Sequence, residues 1–505
     1  MPVNDHNTLF TQTAYTEQFE RKKEFENGSS PEEIARVAEW TKTDEYRELN
    51  FAREGVVINP CKACQPLGAV LAALGFERTL PFVQGSQGCT AYFRSHLSRH
   101  FKEPIATVSS SMTEDAAVFG GLSNMIDGLE NASAMYKPGM IAVSTTCMAE
   151  VIGDDLGAYI KTAKDKGVVP AEMPVPFAHT PSFAGSHLNG YDNMMKGILE
   201  DLSAGVEKAA STDGTLNVIP GFDGYSGNLR EIKHILSSMG VDYRILGDYS
   251  DVVDAPATGE YDMYPAGGTP LASVREAVNA VGTIALQRWS SVKTGEFIKK
   301  EWGQEFVAGP FPIGITATDE LVAEITELTG TPISAELELE RGRAVDAMVD
   351  SHPYLHGKRV ALVGDPDVLL GLISFLLEVG ARPVHVVCTN GDKKFKKAAE
   401  ALLASSPYGA DATVWNRKDM WHLRSLMFTE PVDLLLGPSN AKFLWRDTGT
   451  TFVRVGFPLF DRHHLHKRPI IGYNGATNLL IDIVNTVLDE MDRAAFDSPS
   501  FDLVR

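Results

Sequence analysis

Short apolar runs alternate with helical patterns along most of this chain, and this alternation constrains the fold more than any other feature. The first block runs from about residue 56 to about residue 205, a second begins at Leu216, and a third begins at Arg359. Alternation of strand and helix is typical of parallel sheets that helices cover on both faces. The sequence therefore predicts an α/β fold built from three such layers.

The length of 505 residues is too great for one hydrophobic core, so we expect several domains. The first 50 residues are polar and rich in charge, with a helix predicted from Pro31 to Trp40 behind a Ser30 cap. The predicted divisions are an N-terminal helical arm at 1–50, α/β domains at 51–205, 206–350 and 351–475, and a C-terminal helix and tail at 476–505.

Charge and cysteine content exclude several classes of protein. The formal net charge of −20 disfavours binding to nucleic acid or to an anionic membrane, because both repel an acidic surface. The sequence contains only five cysteines, which argues against a secreted disulfide framework. Its longest apolar run is about half of what is needed to span a bilayer. We therefore expect a soluble, cytoplasmic protein without nucleic acid or membrane partners.

Four residues with metal-binding side chains, Cys64, Cys89, Cys147 and Ser182, lie where an apolar run gives way to a turn and a helix. Side chains at the carboxyl ends of parallel strands point into the crevice where open α/β sheets bind ligands. Gly85, shortly before Cys89, allows the close backbone approach that a bulky cluster needs. Iron–sulfur clusters usually take four protein ligands. The sequence predicts a metal-cluster site that is either small or completed by a partner chain.

Simpler interpretations remain open for the cysteines. A cysteine in an α/β protein is often a small buried hydrophobe, and we expect this of Cys388, which lies inside an apolar strand. Cys61 and Cys64 form a C-x-x-C pair, but no second pair completes a zinc site. A turn at Asn59 stands where a thioredoxin-type motif would have a strand, so a redox pair is also disfavoured.

Other polar groups give weaker signals. Asp346 and Asp350 lie four residues apart on one predicted helix face, either as two solvated carboxylates or as part of a hard-cation site. The histidines at 463, 464 and 466 have no metal-binding spacing, and we expect them to pack and to form hydrogen bonds. The sequence has no glycine-rich phosphate-binding motif, so any ATP or NAD would be bound by another protein.

Several long motifs then give the chain a specific resemblance. They are CQPLGAV at 64–70, GSQGC at 85–89, SMTEDAAVFGG at 111–121, TTCMAEVIGDD at 145–155, FAHTPSF at 177–183 and GFPLFDRHHLH at 456–466. With these motifs in this order, the chain resembles the β subunits of nitrogenase molybdenum–iron proteins from about Glu39 to Arg505. The resemblance implies three Rossmann-like domains and an α2β2 tetramer.

The resemblance also implies a cofactor and the residues that hold it. Cys64, Cys89 and Cys147 match the three β-chain thiolate ligands of an 8Fe-7S P-cluster, which the α subunit completes. Ser182 matches the oxygen ligand of the oxidised cluster. The catalytic iron–molybdenum cofactor of such proteins lies in the α subunit, so no catalytic residue is expected on this chain. Its role would be to relay electrons from the ATP-driven iron protein to that cofactor, which reduces dinitrogen to ammonia.

Two further sites follow from the same resemblance. Phe119 matches a phenylalanine of the surface on which the iron protein docks. Glu103, Asp346 and Asp350, with the backbone carbonyl of Lys102, match a site for a calcium or iron cation between two β subunits.

One related class of protein shares the fold, and the sequence differs from the family pattern in two places. Scaffold subunits for assembly of the iron–molybdenum cofactor share the fold, but they lack the full set of three cysteines and a serine, which favours nitrogenase itself. Cys61 stands where alanine is expected, and it has no assigned role. The N-terminal arm matches poorly.

Overall fold

The computed structural model describes residues 6–26 and 28–495 of the chain. The chain divides into two compact units. The small unit comprises Met1–Glu54 and Arg424–Pro431, and the large unit comprises Gly55–Leu423 and Val432–Arg505.

The small unit is helical. Its described N-terminal helices are α1 His6–Leu9, α2 Thr13–Glu26, α3 Pro31–Trp40 and α4 Asp44–Ala52. The predicted cap of α3 is present, since the Ser30 side chain accepts a hydrogen bond from the Glu33 N–H and proline occupies the first helical position. Helix α4 is fastened to the segment Arg424–Pro431, because Asn50 Nδ2 donates to Ser425 Oγ at 3.0 Å.

The described residues of the large unit form three parallel sheets. The strands of the first sheet are β1 Thr79–Gln84, β2 Val108–Ser109, β3 Met140–Thr145 and β4 Phe177–Ala178. The second sheet contains β5 Leu216–Ile219, β6 Tyr243–Ile245, β7 Gly282–Ala285 and β8 Phe306–Ala308. The third contains β9 Arg359–Val363, β10 Arg382–Cys388, β11 Thr413–Asn416, β12 Leu434–Gly437 and β13 Thr451–Arg454.

The strand orders are β2–β1–β3–β4, β6–β5–β7–β8 and β11–β10–β9–β12–β13. In each sheet the chain moves outward from its first strand and then returns to the other side of that strand. The order therefore switches direction between β1 and β3, between β5 and β7, and between β9 and β12. Open α/β sheets bind ligands at the carboxyl ends of the strands beside such a switch point.

Helices connect the strands and cover the sheets. The described helices from residue 55 onward are α5 Gln65–Leu74, α6 Gln87–Phe101, α7 Glu114–Phe119, α8 Leu122–Tyr136, α9 Cys147–Ile152, α10 Leu156–Asp165, α11 His187–Ser203, α12 Ser226–Met239, α13 Leu271–Glu276, α14 Val292–Phe297, α15 Ile315–Thr329, α16 Ala335–Leu355, α17 Pro366–Glu378, α18 Lys393–Ala404, α19 Met420–Thr429, α20 Lys442–Thr448 and α21 Gly472–Ala495. Short 3₁₀ turns lie at Ser182–Ala184, Ala277–Asn279, Pro407–Gly409, Ser439–Ala441 and Leu465–Lys467, and Ile298–Trp302 is a π-helical turn.

This architecture confirms the predicted fold of three parallel sheets flanked by helices. The central strands β1 and β3 are buried at every residue, as expected of strands covered on both faces. None of the described helices is long and apolar enough to cross a membrane. The five-part division of the chain stays a prediction.

Candidate metal-cluster site

Two of the predicted ligands lie at the switch point of the first sheet. Cys89 is in the first turn of α6, which follows β1, and Cys147 is the first residue of α9, which follows β3. The two strand ends are close together, because the Thr146 N–H donates to the Gln84 carbonyl at 3.0 Å. A Cβ on Gly85 would collide with the Thr146 side chain, so this approach requires glycine.

Cys64 and Ser182 are brought to the same place by different elements. Cys64 is the N-cap residue of α5, and Ser182 begins the 3₁₀ turn after β4. Gln65 ties the two segments together, because its Nε2 donates to the Pro181 carbonyl at 2.8 Å. Cys64 also lies near α6, since burial and the charge of a Cys64 thiolate raise the pKa of Tyr92. The structure therefore brings the four predicted ligand residues together at one end of the first sheet.

The segments that carry Cys147 and Ser182 are fastened by side chains that the sequence did not single out. The Thr180 hydroxyl donates to the Thr145 carbonyl at 2.6 Å and accepts from the Thr145 N–H at 3.0 Å. The Thr145 hydroxyl donates to the Glu150 carboxylate, which also lies 2.9 Å from His179 Nδ1. All four residues lie inside the motifs at 145–155 and 177–183, so the motifs were the signal that could have identified them.

Exposure separates the five cysteines into two kinds. Cys64 and Cys147 are exposed and Cys89 is partly exposed, whereas Cys61 and Cys388 are buried. Burial, followed by the charge of Asp365, raises the pKa of the Cys61 thiol. Burial likewise raises the pKa of Cys388 well above its ordinary value. Buried apolar thiols of this kind are chemically inert, so the exposed set alone is suited to binding metal.

The donor set fits an iron–sulfur cluster. Thiolates are the usual protein ligands of such clusters, and Cys64, Cys89 and Cys147 supply three thiols here. Ser182, which is half-buried beside them, adds an oxygen donor. Three exposed or partly exposed thiols and one hydroxyl leave part of a large cluster without ligands from this chain.

Exposed apolar side chains surround these ligands. The apolar rim consists of Tyr92, Val118, Phe119, Val151 and Phe183, with exposed fractions of 46%, 76%, 86%, 76% and 68%. Tyr92, Val151 and Phe183 lie on elements that carry a predicted ligand. Val118 and Phe119 lie on α7, which packs on α9 through Ala116 and Ala149. An apolar surface of this kind marks a site of protein–protein contact.

The predicted cation ligands are not assembled within one chain. Lys102 ends α6 in the left-handed conformation with φ 65°, and Glu103 beside it is half-buried. Asp346 and Asp350 are exposed on α16. In the described part of the chain, the one cluster of three or more candidate ligands is His234, Glu336 and Glu340. The cation site between two β subunits stays a prediction.

The chain is similar in sequence to nitrogenase proteins along its whole length. The family model described as nitrogenase component 1 type oxidoreductase matches residues 64–488, and a domain of unknown function matches residues 2–50. A nitrogenase molybdenum-iron protein beta chain from a Nostoc species is 59% identical over 516 residues, covering 100% of this chain and 100% of the relative. The Azotobacter vinelandii protein of the same description is 53% identical over 494 residues, covering 96% of this chain and 94% of the relative.

A solved structure gives the same result. The structure described as nitrogenase Cp1 at pH 6.5 matches with a TM-score of 0.86 and 41% identity, covering 90% of this chain and 98% of that chain. Similarity of this extent over the full length confirms the resemblance that the motifs indicated.

Proposed function

Because the chain belongs to the nitrogenase component 1 type oxidoreductase family, we propose that it is a β subunit that holds half of an 8Fe-7S P-cluster. The observation that carries the proposal is the convergence of three exposed or half-exposed thiols at the switch point of the first sheet. Such a cluster needs more protein ligands than this chain offers there. The remaining ligands come from an α subunit that covers the site in an α2β2 tetramer.

In this proposal the chain relays electrons and carries no catalytic residue. Cys64, Cys89 and Cys147 bind iron as thiolates, and Ser182 binds through its oxygen when the cluster is oxidised. The bound cluster supplies a redox centre between the ATP-driven iron protein and the iron–molybdenum cofactor of the α subunit, where dinitrogen is reduced to ammonia. The network around Thr145 and Thr180 holds the Cys147 and Ser182 segments at a fixed separation.

Two further contacts belong to the proposal. Phe119, the most exposed member of the apolar rim, is part of the surface on which the iron protein docks. Asp346 and Asp350 lie one turn apart on an exposed face of α16, where their carboxylates can meet Glu103 and the Lys102 carbonyl of a second β subunit around a calcium or iron cation.

Purification of the chain with and without its α subunit tests the shared site. The complex is expected to contain the full iron complement of the cluster, and the isolated chain is expected to hold no stable eight-iron cluster. Iron is measured per mole of protein after gel filtration. An isolated chain that keeps eight irons would refute the proposal that the ligands are shared.

A further inference from the structure

One buried histidine binds both backbone groups of the residue that precedes Cys64, one through its imidazole and one through its own backbone N–H. His187 begins α11 and is 2% exposed. Its Nδ1 accepts a hydrogen bond from the Ala63 N–H at 3.1 Å, and its own backbone N–H donates to the Ala63 carbonyl at 3.0 Å. The backbone that leads into Cys64 is therefore fixed in position by a single residue.

The other side of the imidazole reaches the third sheet. Since Nδ1 accepts the Ala63 N–H, the ring proton lies on Nε2, which donates to Asp365 Oδ2 at 3.0 Å. Asp365 follows β9, and its second oxygen accepts from Asn390 Nδ2 at 2.7 Å, beyond the end of β10. The Asp365 carboxylate is thus held from two sides, and it fixes the orientation of the ring.

The surrounding backbone leaves little freedom for this arrangement to shift. A Cβ on Gly68 of α5 would collide with the His187 carbonyl, and a Cβ on Gly190 of α11 would collide with the Gln65 carbonyl. Helices α5 and α11 are therefore in direct backbone contact next to Cys64. Cys61 provides a further anchor, because its N–H donates to Thr389 Oγ1 at 3.2 Å.

We propose that His187, oriented by Asp365, is a positioning residue that sets the place of the Cys64 thiolate in the cluster site. The inference deepens the proposed function and rests on it. Cys89 and Cys147 lie in the first turns of helices that follow strands of the first sheet, whereas Cys64 is an N-cap residue at the end of a loop and needs an external support. Loss of a group that orients a metal ligand from behind typically lowers metal affinity or activity by about ten- to a hundredfold.

The chain offers a matched control in His100. This imidazole is also fully buried, and its Nδ1 accepts the Leu459 N–H at 2.8 Å while Nε2 lies 2.5 Å from the Gly224 carbonyl. It packs edge-on against Phe457 at 4.8 Å, much as His187 packs against Phe222 at 4.4 Å. His100 lies about three helical turns from Cys89 and bonds to no backbone group next to a predicted ligand.

The test uses αβ complexes that carry His187→Phe, His100→Phe or Cys64→Ala. Iron loss to an excess of chelator, the midpoint potential of the oxidised cluster and the urea midpoint of unfolding are measured for each complex. His187→Phe is expected to release iron about tenfold faster than wild type and to shift the midpoint potential. His100→Phe is expected to lower the urea midpoint while leaving iron release and potential unchanged.

A second pair of variants keeps the test decisive if His187→Phe does not assemble. Asp365→Ala removes the acceptor for Nε2–H and is expected to accelerate iron loss, whereas Asp365→Asn keeps an acceptor oxygen and should restore most of the retention. The inference would be overturned if His187→Phe or Asp365→Ala kept the iron retention and the midpoint potential of wild type. It would also be overturned if His100→Phe changed iron release and midpoint potential as much as His187→Phe does. Unchanged iron content in Cys64→Ala would instead overturn the proposed ligand set itself.

Discussion

The first and third sheets both reverse their strand order beside their first strand, yet the strand ends near these switch points have opposite character. In the first sheet the strand ends lead to Cys89 and Cys147, which reach the surface. In the third sheet Asp367, just after β9 at the switch point, is 3% exposed, and the adjacent strand β10 ends in Cys388, which is fully buried. The contrast shows that the topology provides a crevice, whereas the side chains at the strand ends decide whether it can bind a ligand.

Hydrogen bonds within the chain explain why the third crevice is closed. The two oxygens of Asp367 accept the backbone N–H groups of Arg288 and Trp289 at 2.8 and 3.0 Å. Beyond β12, the Ser439 hydroxyl donates to Asp461 at 2.6 Å. The polar groups of this crevice are thus satisfied by the protein itself, while the thiols of the first crevice face outward.

The largest expected effect comes from removing a thiol of the first crevice, compared with removing the buried thiol that ends β10. Cys89→Ala and Cys147→Ala should each lose the cluster and nearly all turnover, because a missing thiolate leaves iron undercoordinated. Cys388→Ala should keep its iron and its turnover. Its free energy of unfolding should fall by about 1 kcal/mol, because the substitution leaves a small cavity. Iron content and dinitrogen reduction of the αβ complexes provide the measurement.

The two members of the C-x-x-C pair sharpen the same comparison. Cys61→Ala should matter far less for iron content than Cys64→Ala, since Cys61 is 4% exposed and Cys64 is exposed. Equal loss of iron in both variants would mean that the wrong cysteine of the pair was assigned as the ligand.

The next effect concerns docking on the apolar rim. Exposed aromatic residues often act as binding hot spots, so Phe119→Ala is expected to weaken the binding of the iron protein by about 2 kcal/mol. This corresponds to a roughly thirtyfold loss of apparent affinity, seen as lower turnover at limiting iron protein. Iron and molybdenum content should remain unchanged. Tyr261→Ala is a control, since Tyr261 is 75% exposed on a loop outside the apolar rim. Normal turnover of the Phe119 variant at limiting iron protein would remove Phe119 from the docking surface.

A smaller effect is expected from the buried carboxyl of the third crevice. Burial raises the pKa of Asp367 to about 7, well above that of the unfolded chain. The folded state therefore holds a proton that the unfolded state has lost, so this contribution to stability is present at about pH 4 and lost as the pH rises toward 7. The free energy of unfolding, measured with urea across this pH range, should decline less steeply with rising pH in Asp367→Asn than in wild type. Parallel curves for the two proteins would contradict this assignment.

The ligand residues of the first crevice could be predicted from the sequence, whereas most of the contacts that support them could not. Cys89 and Cys147 each lie a few residues after an apolar run. A local sequence pattern was therefore sufficient to predict both the strand and the metal-binding residue that follows it. His187 gave no such signal, because its partners Ala63 and Asp365 are 124 and 178 residues away in sequence. Contacts over such distances depend on how the sheets pack, which no local pattern encodes.

The smallest expected effect concerns Ser182, the one oxygen donor among the four. A hydroxyl is a poor iron ligand until it loses its proton, and a more positive cluster lowers the pKa of a bound oxygen. Ser182 should therefore bind iron only in the oxidised cluster and release a proton as it does so. Ser182→Ala should still assemble the cluster, because the thiols remain, but the midpoint potential of its oxidised state should depend less on pH. Potentiometric titration of both complexes at several pH values measures the slope, and Ser203→Ala, which removes a half-buried hydroxyl at the opposite end of α11 from His187, serves as the control. An identical slope in wild type and Ser182→Ala would leave Ser182 as a turn residue, and the first crevice would then bind metal through its thiols alone.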